Sequence, residues 1–144
     1  MNDQTINGSF TTQPNSEQLR VLLVEDEALV SMFLEELISD LGHVIIGSAA
    51  SAQAAYDIIE KQPTNLMTDL AIVDISLQGA SDGIDVAIKL RSEYGVPSVV
   101  MSGRHESSVQ QRLQQAAPLG YLQKPYTQSD VECALTRARM NLRS

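Results

Sequence analysis

Cysteine, histidine, basic residues and long apolar runs are all scarce in this chain, and each scarcity removes a class of function. One Cys in 144 residues can close no internal disulfide and build no cysteine metal site, which agrees with a reducing compartment. The two histidines, His43 and His105, have no Cys or His partner at ligand spacing, so both read as surface residues rather than metal ligands. The longest apolar runs fall far short of a bilayer span of about 20 residues, and the N-terminus lacks the basic-then-apolar order of a secretion signal. The expectation is a cytoplasmic protein with no membrane contact. Lys and Arg number 10 against 18 Asp and Glu, for a formal charge of −8. Nucleic-acid phosphates are bound by basic surface, so direct DNA binding is not expected.

What is present is enough for a real core: 43% of the residues are apolar, and a chain of 144 residues forms one domain. Residues Met1 to about Gln18 are rich in Asn, Gln, Ser and Thr with only Ile6 and Phe10 to bury. Such a segment does not offset its ordering entropy, so 1–18 reads as a disordered leader and 19–144 as the domain. From Leu19 short apolar runs alternate with amphipathic segments. The runs predict strands at Arg20 to Val24, Val44 to Gly47, Leu70 to Asp74, Pro97 to Ser102 and Leu119 to Leu122. Helices are expected at Glu27 to Leu41, Ala52 to Lys61, Ile84 to Glu93, Glu106 to Ala116 and Ser129 to about Leu142. Gly42, Pro63, Gly95 and Pro118 stand where the first four helices should stop. Strand then helix, repeated about five times, is the pattern of an α/β fold with a doubly wound parallel sheet covered by helices on both faces. The fourth helix is the weakest, with only Val109, Leu113 and Ala116 as an apolar stripe among Gln and Ser.

Two of the apolar runs end in acids. Leu22-Leu23-Val24 gives way to Glu25, Asp26 and Glu27, and Leu70-Ala71-Ile72-Val73 gives way to Asp74. In open α/β sheets ligands bind at the carboxyl ends of the strands, and neighbouring parallel strands would gather these acids there. Such a cluster repels itself unless a cation sits in it, and its oxygen donors suit a hard divalent ion such as Mg2+. Taken singly each feature has an idle reading. Glu25 to Glu27 could serve only the dipole of a helix start, Asp74 could end a strand, and Ser102-Gly103 could be an ordinary turn. Asp82-Gly83 reads as a cap for the third helix, and Lys124-Pro125 is the only Lys-Pro in the chain. In combination, acid pair, carboxylate nucleophile, hydroxyl and ammonium at the ends of four parallel strands make a phosphoryl-transfer site.

With these residues in place the chain resembles the receiver domain of two-component response regulators. The matching stretches are Val-Glu-Asp-Glu at 24 to 27, Val-Asp-Ile at 73 to 75, Met-Ser-Gly at 101 to 103 and Lys-Pro-Tyr at 124 to 126. The resemblance implies a flavodoxin-like (βα)5 three-layer sandwich with strand order 2-1-3-4-5. It implies Asp74 as phosphoacceptor, Asp26 as direct Mg2+ ligand, Glu25 as a ligand through water, and the Ser76 backbone carbonyl as a further ligand. Ser102 would bond the phosphoryl group, Lys124 would pair with it, Tyr121 would follow Ser102 as a switch, and Lys124-Pro125 would be cis. Ser76 and Arg104, two residues beyond the phosphoacceptor and the switch hydroxyl, would tune the phosphoryl lifetime. Two features depart from the commonest pattern. The loop after Asp74 is one residue longer, with Gln78 where Pro often sits, and Met-Ser-Gly-Arg resembles a subgroup with an atypical fourth helix.

The functional expectation is a single-domain response regulator that takes a phosphoryl group from a histidine kinase or histidine phosphotransfer protein and signals to an unknown downstream protein. It would catalyse its own phosphorylation and dephosphorylation while acting chiefly as a switch. With no output domain after Ser144, a self-contained transcription factor is not expected. The rival expectation is a phosphate sink or pseudo-receiver scaffold. A haloacid-dehalogenase-type enzyme would need a second Asp where Ser76 stands, and a flavodoxin would need a hydroxyl-rich phosphate loop where the first acids stand. On the first helix Val30, Phe33, Leu34, Leu37 and Leu41 are expected to face the sheet, leaving Leu29 and Met32 exposed for partner docking. On the last, Val131, Leu135, Ala138 and Leu142 share a face opposite Cys133, Arg137 and Met140.

Overall fold

A computed structural model describes residues 18–63, 67–77, 82–103 and 107–142. Five strands alternate with five helices: β1 (Arg20–Val24), α1 (Ala28–Asp40), β2 (Val44–Ala49), α2 (Ala52–Glu60), β3 (Leu70–Asp74), α3 (Gly83–Tyr94), β4 (Ser98–Ser102), α4 (Ser107–Ala116), β5 (Gly120–Gln123) and α5 (Gln128–Leu142). The strands form one parallel sheet in the order β2-β1-β3-β4-β5, as expected. The leader expected at 1–18 lies, apart from Gln18, outside the described residues, as do Gln78, Arg104, His105 and Glu106.

The uninterrupted apolar runs of β1, β3 and β4 are explained by burial on both faces. Val21 and Leu23 of β1 pack with Leu34 and Ile38 of α1 and Val131, Leu135 and Ala138 of α5, while Leu22 and Val24 pack with Ala55 and Tyr56 of α2 and Val86 and Leu90 of α3. Successive strand residues point to opposite faces, so a strand between two helical layers needs apolar residues at every position. The smaller contact of α4 uses Leu113, Ala116 and Val109 against Ile84 and Ala87 of α3 and Val100 of β4. Among the described residues no helix is long and apolar enough to cross a membrane.

Most element ends fall within one residue of expectation, and three features differ by more. β2 runs on to Ala49, because after a register shift that skips Ile46 the chain goes on pairing, Gly47 with Leu22 and Ser48 with Leu23, instead of turning. Phe33 does not face the sheet: it is 44% exposed, and Ile38 takes the core position beside Leu34. The core stripe of α1 is Val30, Leu34, Leu37, Ile38 and Leu41, and at about 100° per residue Phe33 falls near its edge. Leu142, at the last position of α5, is exposed rather than part of the buried face.

The end of α1 also explains His43. Gly42 takes φ +96°, its N–H bonds Ser39 O at 3.0 Å, and the His43 N–H bonds Ile38 O at 3.2 Å, closing the helix with a left-handed glycine. That turn delivers His43 Nδ1 as acceptor of the Leu19 N–H at 3.0 Å, just before β1. His43 is therefore a half-buried structural acceptor rather than a plain surface residue. Burial, and then the nearby Arg139 charge, hold its pKa below the ordinary value, so the unfolded chain binds this proton more readily than the folded one. The contribution to stability is present above the ordinary histidine range and is lost as pH falls through it. His43→Asn, which keeps an acceptor but does not titrate, should show a shallower fall in melting temperature than wild type between about pH 7.5 and 5.5. Parallel profiles would contradict this role.

Candidate functional site

The parallel register converts the sequence pattern into a cluster. Val24 pairs with Val73, so the next residues, Glu25 and Asp74, leave neighbouring strands side by side. Carboxylate oxygens of Glu25, Asp26 and Asp74 all lie within 4.8 Å of one another. Glu25 is only 3% exposed and Asp74 only 1%. β3 is the central strand, so Asp74 has a neighbouring strand on each side.

Asp74 is gripped through both oxygens. Oδ2 accepts from Lys124 Nζ at 2.9 Å, and Oδ1 accepts from the Ser76 N–H at 2.9 Å and the Ser76 hydroxyl at 2.7 Å. Burial pushes its pKa up, but the Ser76 and Lys124 hydrogen bonds and the Lys124 charge outweigh this and hold it below the usual carboxylate value. Asp74 is an anion in this setting. Lys124 is brought in by the turn after β5, where the Lys124-Pro125 peptide is cis, and its bond to Asp74 holds the ammonium above its ordinary pKa in spite of burial.

Glu25 is in the opposite condition. Its Oε2 accepts the Glu27 N–H at 3.0 Å, whereas its Oε1 is buried without a hydrogen-bond partner among the described residues. Burial foremost, together with the Asp74 charge, raises its pKa from 4.5 to about 7, against the pull of the Glu27 N–H and Lys124. A buried carboxyl oxygen with no donor, two further carboxylates within reach and no nitrogen or sulfur ligand among the described residues fit a hard divalent cation.

The other expected site residues fall as follows. Ser102 ends β4 and is buried, with its hydroxyl donating to Gly103 O at 3.3 Å. Tyr121 lies on β5 opposite Val100 and is exposed, beside a groove that it lines with Cys133, Ala134 and Arg137. Arg104 lies outside the described residues. Leu29 and Met32 are 81% and 62% exposed on the outer side of α1.

Two residues near the cluster had no part in the site assigned from sequence. Gly83, the first residue of α3, approaches so closely that a Cβ there would lie 2.0 Å from Asp74 O and 2.5 Å from Ile75 Cα. Only glycine permits that contact. Tyr126 is half-buried, and its pKa is raised by burial and then by Glu25 and Asp74. Its signal lay in the Lys-Pro-Tyr stretch, which places it two residues beyond Lys124.

Glu25→Gln should stabilise the chain when divalent cations are chelated, because it keeps the acceptor for the Glu27 N–H and removes an unpaired buried charge. The folded protein holds the Glu25 proton to about pH 7, so wild type loses stability as pH rises from the ordinary carboxylate range through 7. Urea unfolding in EDTA should therefore show a gain for Glu25→Gln on the order of 1 kcal/mol above pH 7, shrinking toward pH 5. A loss of stability at pH 8 would contradict the account.

Comparison with known proteins agrees with this geometry. The family described as the response regulator receiver domain matches residues 21–136. The chain is similar to the transcriptional regulatory protein PdtaR of Mycobacterium tuberculosis, at 35% identity over 83% of the chain and 58% of the relative. It is similar also to the phyllosphere-induced regulator PhyR of Methylorubrum extorquens, at 29% identity over 82% of the chain and 42% of the relative. The chain thus spans about half the length of these relatives. The solution structure of the PhyR receiver domain from Erythrobacter litoralis superposes with a TM-score of 0.69 at 30% identity, covering 85% of this chain and 91% of that one. Matched by that family over most of its length, and sharing its fold with the PhyR receiver domain, this chain belongs to the response regulator receiver domain family.

Proposed function

We propose that the chain accepts a phosphoryl group on Asp74 from a phosphohistidine of a histidine kinase or histidine phosphotransfer protein, and signals through phosphorylation-dependent contact with a downstream protein. The observation that carries this reading is the state of Asp74: ionised, nearly removed from water, and fixed between the Lys124 ammonium and Ser76. A buried anion at the end of a central strand, within 4.8 Å of the Glu25 and Asp26 carboxylates, supports a nucleophile's role over that of a structural turn residue.

In the proposed reaction an Asp74 oxygen bonds to phosphorus, the nitrogen-phosphorus bond of the donor breaks, and the departing imidazole takes a proton from water. Glu25, Asp26, Asp74 and the Ser76 backbone carbonyl would hold Mg2+. The chemistry that such an ion supplies when bound is positive charge against the phosphoryl oxygens. Lys124, now on Asp74 Oδ2, is placed to follow the developing charge, and Ser102 offers a hydroxyl from the next strand. Ser76 tunes the lifetime of the product, since its hydroxyl already holds one Asp74 oxygen. Asp74→Asn should abolish the mass gain of one phosphoryl group that acetyl phosphate and Mg2+ produce in the wild-type chain. An undiminished gain in that variant would show that another residue is the acceptor.

Docking of the donor protein is assigned to the outer side of α1. Leu29 and Met32 are joined there by Phe33, so three apolar side chains stand exposed near the carboxyl end of β1. A pure phosphate sink would also need a donor surface, so this patch speaks for a protein donor without deciding the output. Leu29→Asp combined with Met32→Asp should slow transfer from the cognate phosphohistidine protein by at least about tenfold, a loss of 1.4 kcal/mol or more in transition-state binding. Labelling by acetyl phosphate should stay near wild type. Equal losses with both donors would locate the damage in folding or chemistry instead.

A further inference from the structure

Arg112 takes no part in the chemistry above, yet it ties α4 to the first turn of α3. Its Nη1 donates to Asp82 Oδ2 at 3.0 Å, and its Nη2 donates to Asp82 Oδ1 at 3.2 Å and to Asp85 Oδ1 at 2.8 Å. A planar guanidinium is suited to such a fork across two carboxylates. All three side chains are about half-exposed, so these ion pairs add little to global stability. Their consequence is positional.

The place they fix is next to Asp74. Asp82 caps α3 by accepting the Asp85 N–H at 3.0 Å, and Gly83 follows with its backbone packed on the Asp74 carbonyl. The same carbonyl accepts the Leu77 N–H at 3.2 Å, and Ser76 holds Asp74 Oδ1 through two hydrogen bonds. The stretch Ile75 to Leu77 is therefore moored to Asp74 at one end, while the start of α3 bears on the same peptide from the other. Apolar contact alone secures this corner weakly, since α4 contributes only Leu113, Ala116 and Val109 and is otherwise rich in Gln.

We propose that Arg112 is a positioning residue for the carboxylate cluster. By forking Asp82 and Asp85 it holds the start of α3 against the Asp74 peptide, and with it Ser76, in the arrangement that takes a divalent cation. This rests on the reading of Glu25, Asp26 and Asp74 as a cation site.

The test is calorimetric titration of the full chain with Mg2+ alone, in wild type, Arg112→Gln, Asp82→Asn and the double variant, with melting temperatures in EDTA. Asn caps a helix about as well as Asp, so Asp82→Asn leaves α3 its cap while breaking the ion pair. Each single variant should bind Mg2+ about three- to tenfold more weakly, less than is typical for residues touching metal ligands directly. The double variant should bind no more weakly than the worse single one, because both substitutions remove the same contact. Melting temperatures should stay within a few degrees of wild type. Arg112→Lys, a point charge that cannot fork two carboxylates, should recover less than half of the loss. Wild-type affinity in Arg112→Gln, or additive losses in the double variant, would overturn the proposal. Absence of Mg2+ binding in wild type would overturn the cation-site reading itself, a failure distinguishable from that of Arg112 because it precedes any substitution.

Discussion

Two carboxylates almost out of water, Glu25 and Asp74, face each other across neighbouring parallel strands with one ammonium, Lys124, at hand. With oxygens that approach within 4.8 Å, two such charges repel by about 3 kcal/mol at an effective dielectric near 20. Lys124 bonds only one of them. No packing preference would gather these groups, and the site exists because the sheet holds the strand ends in place. The two apolar layers on either side of β1 and β3 supply that rigidity.

The burden of this arrangement is unequally shared, and that inequality is its chemical content. Asp74 receives the Lys124 ammonium, the Ser76 amide and the Ser76 hydroxyl, and stays ionised below the usual carboxylate range. Glu25 receives one backbone N–H, finds no donor for its other oxygen among the described residues, and holds its proton to about pH 7. Neighbouring carboxyls driven in opposite directions suit different roles: in the proposed reaction Asp74 is the nucleophile, and a bound cation would ease Glu25.

Much of this was legible in the sequence because it depends on residue type at strand ends. Apolar runs without alternation marked β1 and β3, and the acids that ended them marked the site, since parallel strands bring their carboxyl ends together by construction. What depended on three-dimensional approach was not legible. Gly83 is required by an Asp74 carbonyl nine positions earlier, and Arg112 reaches Asp82 across 30 residues. His43 reads as a surface residue until Leu19 is seen to donate to it. Phe33 and Ile38 were exchanged in the α1 core because an apolar count cannot tell which edge of a broad stripe meets the sheet. That exchange enlarges the exposed patch around Leu29 and Met32 rather than the core.

The central claim is that the acid cluster takes a divalent cation and presents Asp74 to a phosphoryl group. Fluorine NMR of the chain with beryllofluoride, a phosphoryl mimic, tests both halves at once. The account predicts bound fluorine resonances, distinct from free fluoride species, that need Mg2+ and disappear in Asp74→Asn. Bound resonances that persist without Mg2+ or in Asp74→Asn, or their absence in a folded wild-type chain with Mg2+ present, would contradict it.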